Sequence, residues 1–354
     1  MKHIQVMDCT LRDGGWVNDF AFGKDGMRDI LKTVEGSGVE FIELGYMDQF
    51  KGSFHDKSMF ASLGALEESF EGVERNGETS RLVMIDYGKF DSVKLPKMNK
   101  DATNAFDGIR LCFHKKDTEK ALELGKSILD RGYKLFIQPM VASRYSDDDL
   151  KALIESTQRE IEGFSAFYIV DSFGVMDEYT ICERLLIADE WLEPGVMLGL
   201  HTHNNLNLCM NHAKAACGLT HGASDIVPSD RGLHPDRRLI LDATLSGLGK
   251  GAGNLILQDI TEYLNENEGK GYGTDALRNL AERRIEPLRD RYIWGYEPEY
   301  EMSSRYSVTP TYAKVFCQEY GKSLQELEVF LSSMPENKKD SFDRKYAEEY
   351  IRKL

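Results

Sequence analysis

Short apolar runs rich in β-forming residues alternate with longer segments of helical periodicity through most of the chain. This alternation is typical of strand–helix units that build a parallel sheet. Helical stretches such as 25–37, 118–131 and 147–161 each open on Asp or Thr as an expected cap. The predicted strands are residues 4–8, 41–44, 82–86, 108–113, 134–139, 166–170, 197–201 and 239–243. Eight such units close a (β/α)8 barrel, so the pattern predicts an α/β fold of the TIM-barrel class.

The alternation stops after about residue 265, where the glycine-rich stretch GKGYG precedes a charged, tyrosine-rich remainder of mostly helical pattern. We therefore predict a barrel domain over residues 1–268 and a helical C-terminal region over residues 274–354. Dense mixed charge over residues 336–354 predicts an exposed terminal helix with weak tertiary contacts.

The charge balance restricts the class of binding partner. The chain of 354 residues has 44 basic and 59 acidic residues, a net charge of -15, which argues against a general affinity for nucleic acid or anionic membranes. No apolar run reaches the about 20 residues that a membrane helix requires, and the first residues lack a signal-peptide apolar region. We expect a cytoplasmic protein that acts on small molecules. Its six cysteines show no CxxC spacing, as expected for reduced thiols packed as small apolar side chains.

Two histidines lie at the end of the seventh predicted strand, in the sequence LHTHNN. In a (β/α)8 barrel the chemistry lies at the C-terminal ends of the strands. His201 and His203 are two residues apart, so both side chains point to one face if the strand continues, and two imidazoles with one carboxylate suit a divalent metal. The alternative is two histidines satisfied by ordinary hydrogen bonds. Asp13, in DCTLRDGG after the first strand, can supply the carboxylate, because the first strand of a closed barrel lies near the last two.

Further polar residues follow other strands. A buried Arg12 beside Asp13 would require acidic partners or an anionic substrate, and Glu43 and Asp171 are candidates, with a purely stabilising ion pair as the alternative. The loop LSGLGKGAGN after the eighth strand either binds an anionic group through backbone N–H groups or is only a tight turn. Asn254 at its end is a candidate for an additional metal ligand.

Four motifs together, DCTLRDG, DSFG, HTHNN and GLGKGAGN in this order, resemble those of the barrel metallolyases, also called the DRE-TIM superfamily. Its members include 4-hydroxy-2-oxovalerate aldolase, 3-hydroxy-3-methylglutaryl-CoA lyase and the isopropylmalate and homocitrate synthases. The resemblance covers roughly residues 1–265. It implies that Asp13, His201 and His203 bind Mn²⁺ or Mg²⁺, and that Arg12 stabilises the enolate formed when the carbon–carbon bond breaks.

Within that superfamily the chain is most similar to the aldolase branch. The condensing synthases usually carry RDGEQ, whereas Gly15 and Trp16 follow the RDG here. The aldolase branch places a serine after the sixth-strand aspartate, and Ser172 matches it and is a candidate for contact with substrate. A late Gly-Tyr pair with a second tyrosine is matched by Gly295, Tyr296 and Tyr300. The resemblance implies an aldolase that cleaves or forms a 4-hydroxy-2-oxo acid through a pyruvate enolate, with a 2-oxo acid and an aldehyde as substrates.

Trp16 departs from the pattern of the oxovalerate aldolases. There a histidine three residues after the metal aspartate accepts the proton of the substrate hydroxyl, and an indole has no acceptor. His114, after the fourth strand, and Tyr296 are the substitutes with suitable chemistry. Trp16 itself would form an apolar wall of the substrate pocket and so indicates a different substrate.

Two other functions remain open from the sequence. A Claisen-type acyl-CoA enzyme needs a basic track near the barrel mouth, for which Lys115, Lys116 and Lys250 are the candidates. A barrel that has lost turnover could act as a metal-binding regulatory subunit. The segment 229–238, with three arginines, is predicted to be a subunit contact or a solvated loop at the bottom of the barrel. A homo-oligomer is compatible with these features.

Overall fold

A computed structural model describes residues 3–52, 54–98, 105–222, 225–228 and 231–353 of the chain. Its strands are β1 (Ile4–Asp8), β2 (Phe41–Met47), β3 (Met59–Phe60), β4 (Ser80–Asp86), β5 (Gly108–Phe113), β6 (Lys134–Pro139), β7 (Ala166–Asp171), β8 (Met197–Thr202) and β9 (Leu239–Ala243). All except the short β3 form a parallel barrel, which closes where β1 pairs with both β9 and β2. All eight predicted strands and the TIM-barrel class are confirmed.

Helices surround the barrel and continue beyond its last strand. They are α1 (Gly15–Asn18), α2 (Lys24–Gly36), α3 (Leu63–Phe70), α4 (Thr118–Leu129), α5 (Asp147–Glu160), α6 (Glu178–Trp191), α7 (Cys209–Thr220), α8 (Leu257–Glu268), α9 (Thr274–Arg284), α10 (Pro298–Arg305), α11 (Thr311–Ala313), α12 (Leu324–Ser332) and α13 (Arg344–Ile351). The predicted caps were wrong in detail. Ser146, not Asp147, caps α5, because its hydroxyl accepts from the N–H of Asp149 in a capping box. No helix in the described ranges is both long and apolar enough to cross a membrane.

Alternate residues of each strand point into the barrel. Near the N-terminal ends of the strands these side chains are apolar and buried, and we call them the lower layer: Met7, Phe41, Leu82, Phe136, Ala166, Met197 and Ile240. Phe41 and Phe136 meet edge to face across it, with ring centroids 5.7 Å apart. At the next inward position two of these seven strands carry an acid, since Glu43 follows Phe41 and Asp242 follows Ile240, and a third strand of the barrel, β5, carries Arg110 at this level. The interior therefore changes from apolar to charged toward the C-terminal ends of the strands.

Gly199 makes room for an aromatic ring between these levels. A Cβ atom at this position would lie 2.3 Å from the ring of Tyr168. Because glycine leaves that space free, the Tyr168 ring can fill it, and the guanidinium of Arg110 lies 4.5 Å from the ring centroid. This cation–π contact supports a fully buried arginine in the middle of the barrel.

Strand β2 contains a bulge. Glu43 pairs with Leu82 and Tyr46 pairs with Met84, so three steps along β2 match two steps along β4. Gly45 within the bulge has a φ of 145°. A Cβ atom there would lie 2.0 Å from the carbonyl oxygen of Ser58, and only glycine avoids this clash. Leu82 and Met84 both face the interior, and consequently Glu43 and Tyr46 do too.

The region after the last barrel strand contributes to two hydrophobic clusters. Side chains from residues 272–294, including Leu277 and Trp294, belong to the cluster around the barrel. A second cluster joins α10 to α13, where Phe316 and Phe330 stack with centroids 4.2 Å apart. Ile351 is buried in it, so the expectation of weak contacts for residues 336–354 was wrong. The domain boundary between residues 268 and 274 stays a prediction.

The segment 229–238 is described only from residue 231 onward, and its first two residues lie outside the described ranges. Arg237 is buried, pairs with Asp189 at 2.6 Å and donates to the backbone oxygens of Leu192 and Val196. This arginine therefore ties the segment to the end of α6. Neither a subunit contact nor a solvated loop accounts for Arg237.

Candidate active site

A pocket of about 290 Å³ lies at the C-terminal ends of the barrel strands. Side chains from several strand ends line it, as the barrel architecture predicts. The lining residues proposed from the sequence are Arg12, Asp13, Trp16, His114, Ser172, His201, His203 and Lys250. Within this set the chain brings together residues that are up to 238 positions apart, from Arg12 to Lys250.

Asp13, His201 and His203 form one buried group. Each offers a ligand atom within 4.8 Å of those of the other two, and His201 Nε2 lies 3.9 Å from Asp13 Oδ2. The two imidazole rings meet edge to face at 5.1 Å. Two imidazoles and a carboxylate converging on one point are a donor set that a divalent cation prefers.

Asp242 orients the first of these histidines. Its Oδ2 lies 3.0 Å from His201 Nδ1, so the imidazole donates to Asp242 and directs the lone pair of Nε2 toward Asp13. A carboxylate behind a histidine ligand is the usual arrangement in metal sites. Asp242 was missed from the sequence, although an acid within the apolar strand LILDA was a visible signal.

Two buried atoms at the same place have no hydrogen-bond partner among the described residues, namely His203 Nδ1 and Asn254 Oδ1. The amide nitrogen of Asn254 donates to Asp13 Oδ2 at 2.5 Å, which keeps the side chain beside the carboxylate. Unpaired buried acceptors are costly. The unpaired atoms of His203 and Asn254, together with the group of Asp13, His201 and His203, therefore form a donor set that fits a divalent cation.

Arg12 is held in a fixed orientation by two acids. Its Nε donates to Glu43 Oε2 at 2.7 Å and its Nη1 donates to Asp13 Oδ1 at 2.9 Å. Arg110 Nη1 lies 2.8 Å from the same Glu43 oxygen, and Arg110 Nη2 pairs with Asp242. These contacts close into what we call the charge ring: Asp13, Arg12, Glu43, Arg110, Asp242 and His201.

The charge ring contains three carboxylates and two guanidinium groups, so it is one positive charge short of neutrality when His201 is uncharged. Burial opposes ionisation of Asp13, but Arg12, His203, His201 and the Asn254 hydrogen bond together lower the pKa of that carboxyl. Burial also opposes ionisation of Asp242, but Arg110 and His201 together lower the pKa of this carboxyl. Burial also lowers the pKa of His203 to about 4, which leaves a neutral imidazole. The site is therefore prepared for a cation.

Three residues proposed to bind substrate or act in catalysis lie outside the pocket lining. Glu43 is fully buried beneath it, where two arginines occupy its carboxylate. Asp171 instead accepts from the N–H groups of Val175 and Met176, and burial raises its pKa to about 6. Tyr296 is 51% exposed and donates to Glu301.

Trp16 and Ser172 do reach the pocket. The Trp16 ring packs edge-on against Tyr46 at a centroid distance of 5.7 Å. Ser172 Oγ accepts from the N–H of Val141 at 2.9 Å, which leaves the hydroxyl proton free to donate. Both residues therefore have the position that contact with a substrate requires.

The C-terminal region covers one side of the pocket, a feature that the sequence did not predict. Asp340, Ser341 and Phe342, which we call the C-terminal cover, line the pocket together with the strand ends. Arg144, after β6, binds Asp340 of the cover at 3.3 Å and also Glu336, which precedes the cover, at 3.2 Å. Asp86, which ends β4, also lines the pocket and was missed.

No family model matches the chain. A 4-hydroxy-2-oxovalerate aldolase from Geobacillus genomosp. 3 is 28% identical over 295 residues, which are 81% of this chain and 78% of the relative. An oxaloacetate decarboxylase from Mycobacterium tuberculosis is 25% identical over 304 residues, 83% of this chain and 79% of the relative. The solved N-terminal domain of a provisionally named aldolase from Bacteroides vulgatus superposes with a TM-score of 0.72 at 21% identity, covering 93% of this chain and 99% of that one.

Proposed function

Because this chain belongs with the barrel metallolyases of the DRE-TIM superfamily and is a metal-dependent carbon–carbon lyase, we propose that it cleaves or forms a 4-hydroxy-2-oxo acid through a pyruvate enolate. The observation that carries the proposal is the proximity of Arg12, at 2.9 Å from Asp13, to the group that Asp13 forms with His201 and His203. The substrates would be a 2-oxo acid and an aldehyde.

Asp13, His201 and His203 would hold the divalent cation, for which we propose Mn²⁺ or Mg²⁺. The amide oxygen of Asn254, buried and unpaired among the described side chains, would be a further ligand. The bound cation supplies a Lewis acid that polarises the carbonyl group of a 2-oxo acid. Asp242 would keep His201 in the correct tautomer through its contact with Nδ1.

Arg12 would stabilise the negative charge of the enolate. Two edges of its guanidinium are fixed by Glu43 and Asp13, whereas Nη2 is buried and has no partner in the described ranges. Burial alone would lower the pKa of Arg12, but Glu43 and Asp13 raise it above its ordinary value, so the group keeps its charge. A donor fixed where charge develops needs no reorganisation during the reaction.

Trp16 and Ser172 would determine which aldehyde is accepted. The indole forms an apolar wall with Tyr46, and the Ser172 hydroxyl would donate to a substrate oxygen. A pocket of about 290 Å³ suits a small substrate. An apolar wall favours an aldehyde that is bulkier or less polar than acetaldehyde.

The acyl-CoA alternative has less support. Its phosphate groups would need free cations, but Lys115 pairs with Asp149 at 2.7 Å and Arg144 pairs with the acids of the C-terminal segment. Of the three candidate lysines, this leaves Lys116 and Lys250 without a salt bridge among the described residues. The adjoining cavity that contains Lys115 and Arg144 is also lined by Glu336 and Asp340. We therefore favour a pyruvate-type substrate.

The test is exchange of the C3 protons of pyruvate with D₂O, followed by NMR with Mn²⁺, with Mg²⁺ and with EDTA. We expect exchange with a cation and none with EDTA, because enolisation is common to every pyruvate aldolase of this type. Absence of exchange with either cation would refute the proposed function. Metal content should fall in His201→Ala and stay unchanged in the matched control His221→Ala, whose imidazole contacts Glu268 at the surface.

A further inference from the structure

Asp86 is an acidic residue in the pocket that neither the metal site nor the charge ring uses. It ends β4, next to the end of β5, where it pairs with Cys112. The side chain of Tyr46 lines the same pocket, and its hydroxyl interacts with this carboxylate. No ion pair reaches Asp86 from any residue that the structure describes, in contrast to Asp13 and Asp340.

The other proton-accepting groups in the pocket are engaged or hold their own protons. Asp13 belongs to the metal group, and Asp340 is bound to Arg144. Burial raises the pKa of Tyr46 and of Cys112, so neither can take up a proton near neutral pH. This leaves Asp86, the predicted His114 and Lys250, whose pKa is lowered by burial.

The carboxylate of Asp86 has the environment of a general base. Burial raises its pKa above the ordinary range, against the lowering effects of the Tyr46 hydrogen bond, Arg12, His114 and Lys89. A carboxyl group shifted toward neutrality is a better proton acceptor than an ordinary aspartate.

We propose that Asp86 accepts the hydroxyl proton of the 4-hydroxy-2-oxo acid, in place of the histidine that Trp16 replaces. This inference rests on the proposed function. The O–H proton passes to the Asp86 carboxylate, and its electron pair forms the carbonyl of the aldehyde as the C3–C4 bond breaks. The electrons of that bond pass to the 2-oxo group and give the enolate. The enolate later takes up one proton at C3. Because Asp86 received one proton from the hydroxyl, the protons balance and no co-reactant is needed.

The aromatic contacts explain why the base can lie on another strand. Trp16 packs edge-on against Tyr46, and both rings line the pocket together with Asp86, so the indole and the carboxylate belong to one wall of the pocket. A base at Asp86 is therefore near the space that a residue at position 16 faces. His114, after the neighbouring strand, would act on the charge of Asp86 as a positioning residue.

The central test compares Asp86→Asn with the wild-type enzyme in cleavage of 4-hydroxy-2-oxo acids made from pyruvate and acetaldehyde, butanal or benzaldehyde. We expect kcat to fall by about 10²–10⁴-fold, as for loss of a general base. Pyruvate affinity, metal content and thermal unfolding should not change. Asp130→Asn, the same change on an exposed residue at the end of α4, is the control.

The pH profile separates a proton acceptor from a structural residue. The wild-type kcat/KM should rise with pH as Asp86 ionises, and this acid limb should be absent in Asp86→Asn and restored in Asp86→Glu. The charged or titratable groups that face Asp86 are Arg12, Tyr46, Lys89, Cys112, His114 and Lys250. If the acid limb disappears in His114→Gln and persists in Asp86→Asn, the base is His114 and the inference is overturned.

The experiments test separately whether Asp86 is the general base and whether the proposed aldolase function is correct. If the wild-type enzyme exchanges pyruvate protons and cleaves a probe, but Asp86→Asn keeps its turnover, only the assignment of the base fails. If the wild-type enzyme neither exchanges pyruvate protons nor cleaves any probe, the proposed function and this inference fail together.

Discussion

The lower layer and the charge ring are built from the same strands but are stabilised in different ways. In the lower layer, apolar side chains such as Phe41 and Phe136 make many small contacts, none of which depends on a particular partner. In the charge ring, Glu43 serves both Arg12 and Arg110, so the loss of one member leaves its neighbours buried and unpaired. Two inward positions of one strand can thus differ strongly in tolerance to substitution.

The difference predicts how mutational effects combine. Apolar contacts in separate parts of a core usually contribute additively, whereas members of one hydrogen-bonded ion network are coupled. The charge ring also has a functional reason to exist, because it fixes both Arg12 and His201. We therefore expect substitutions in the ring to affect stability and chemistry together, and substitutions in the lower layer to affect stability alone.

Arg110→Met should have the largest effect. It removes the fully buried cation between Glu43 and Asp242 and should lower the free energy of unfolding by about 3–5 kcal/mol, the usual result of breaking a buried ion pair. Urea denaturation at neutral pH measures this value. A loss below about 1 kcal/mol would mean that the ring tolerates substitution as the lower layer does.

Arg12→Lys should reduce turnover by about 10²–10³-fold, as expected when one preorganised donor is lost. Lysine keeps the charge but cannot contact Glu43 and Asp13 with a planar fork while also presenting a third nitrogen. Steady-state kinetics on the best substrate provides the measurement. Near-normal turnover would remove Arg12 from the chemistry and leave it a structural member of the ring.

Asp242→Asn should weaken metal binding by about 10–100-fold, because an amide orients His201 less well than a carboxylate. Calorimetric titration with Mn²⁺ would show the change. The control is Asp189→Asn, which removes the partner of Arg237 at the opposite end of the barrel. Equal affinities in Asp242→Asn and the wild-type protein would show that ring and metal site are independent.

Leu82→Met should have the smallest effect. Leu82 is fully buried in the lower layer, and a volume-conserving apolar exchange typically costs less than about 1.5 kcal/mol. We expect neither turnover nor metal affinity to change. A clear loss of metal affinity in this variant would show that the two levels of the barrel interior are coupled.

The sequence predicted the elements that depend on local pattern. Each barrel strand is a short apolar run, and Asp13, His201 and His203 lie at or just after the ends of strands whose order places them together. Asp171 shows the limit of this reasoning, because a carboxylate after a strand can turn back to the N–H groups of its own loop. Arg110 and the C-terminal cover were missed because their partners are chosen by the tertiary fold, at distances along the chain that no motif records.

The C-terminal cover has a consequence for the order in which the protein is made. All eight barrel strands end by Ala243, whereas Asp340, Ser341 and Phe342 are synthesised much later. Since N-terminal parts of a chain can fold while the ribosome is still translating, the charge ring can assemble before the cover exists. During that interval the mouth of the barrel is open on the side that the cover later occupies. A cation can therefore reach Asp13, His201 and His203 from the surrounding solution while translation continues.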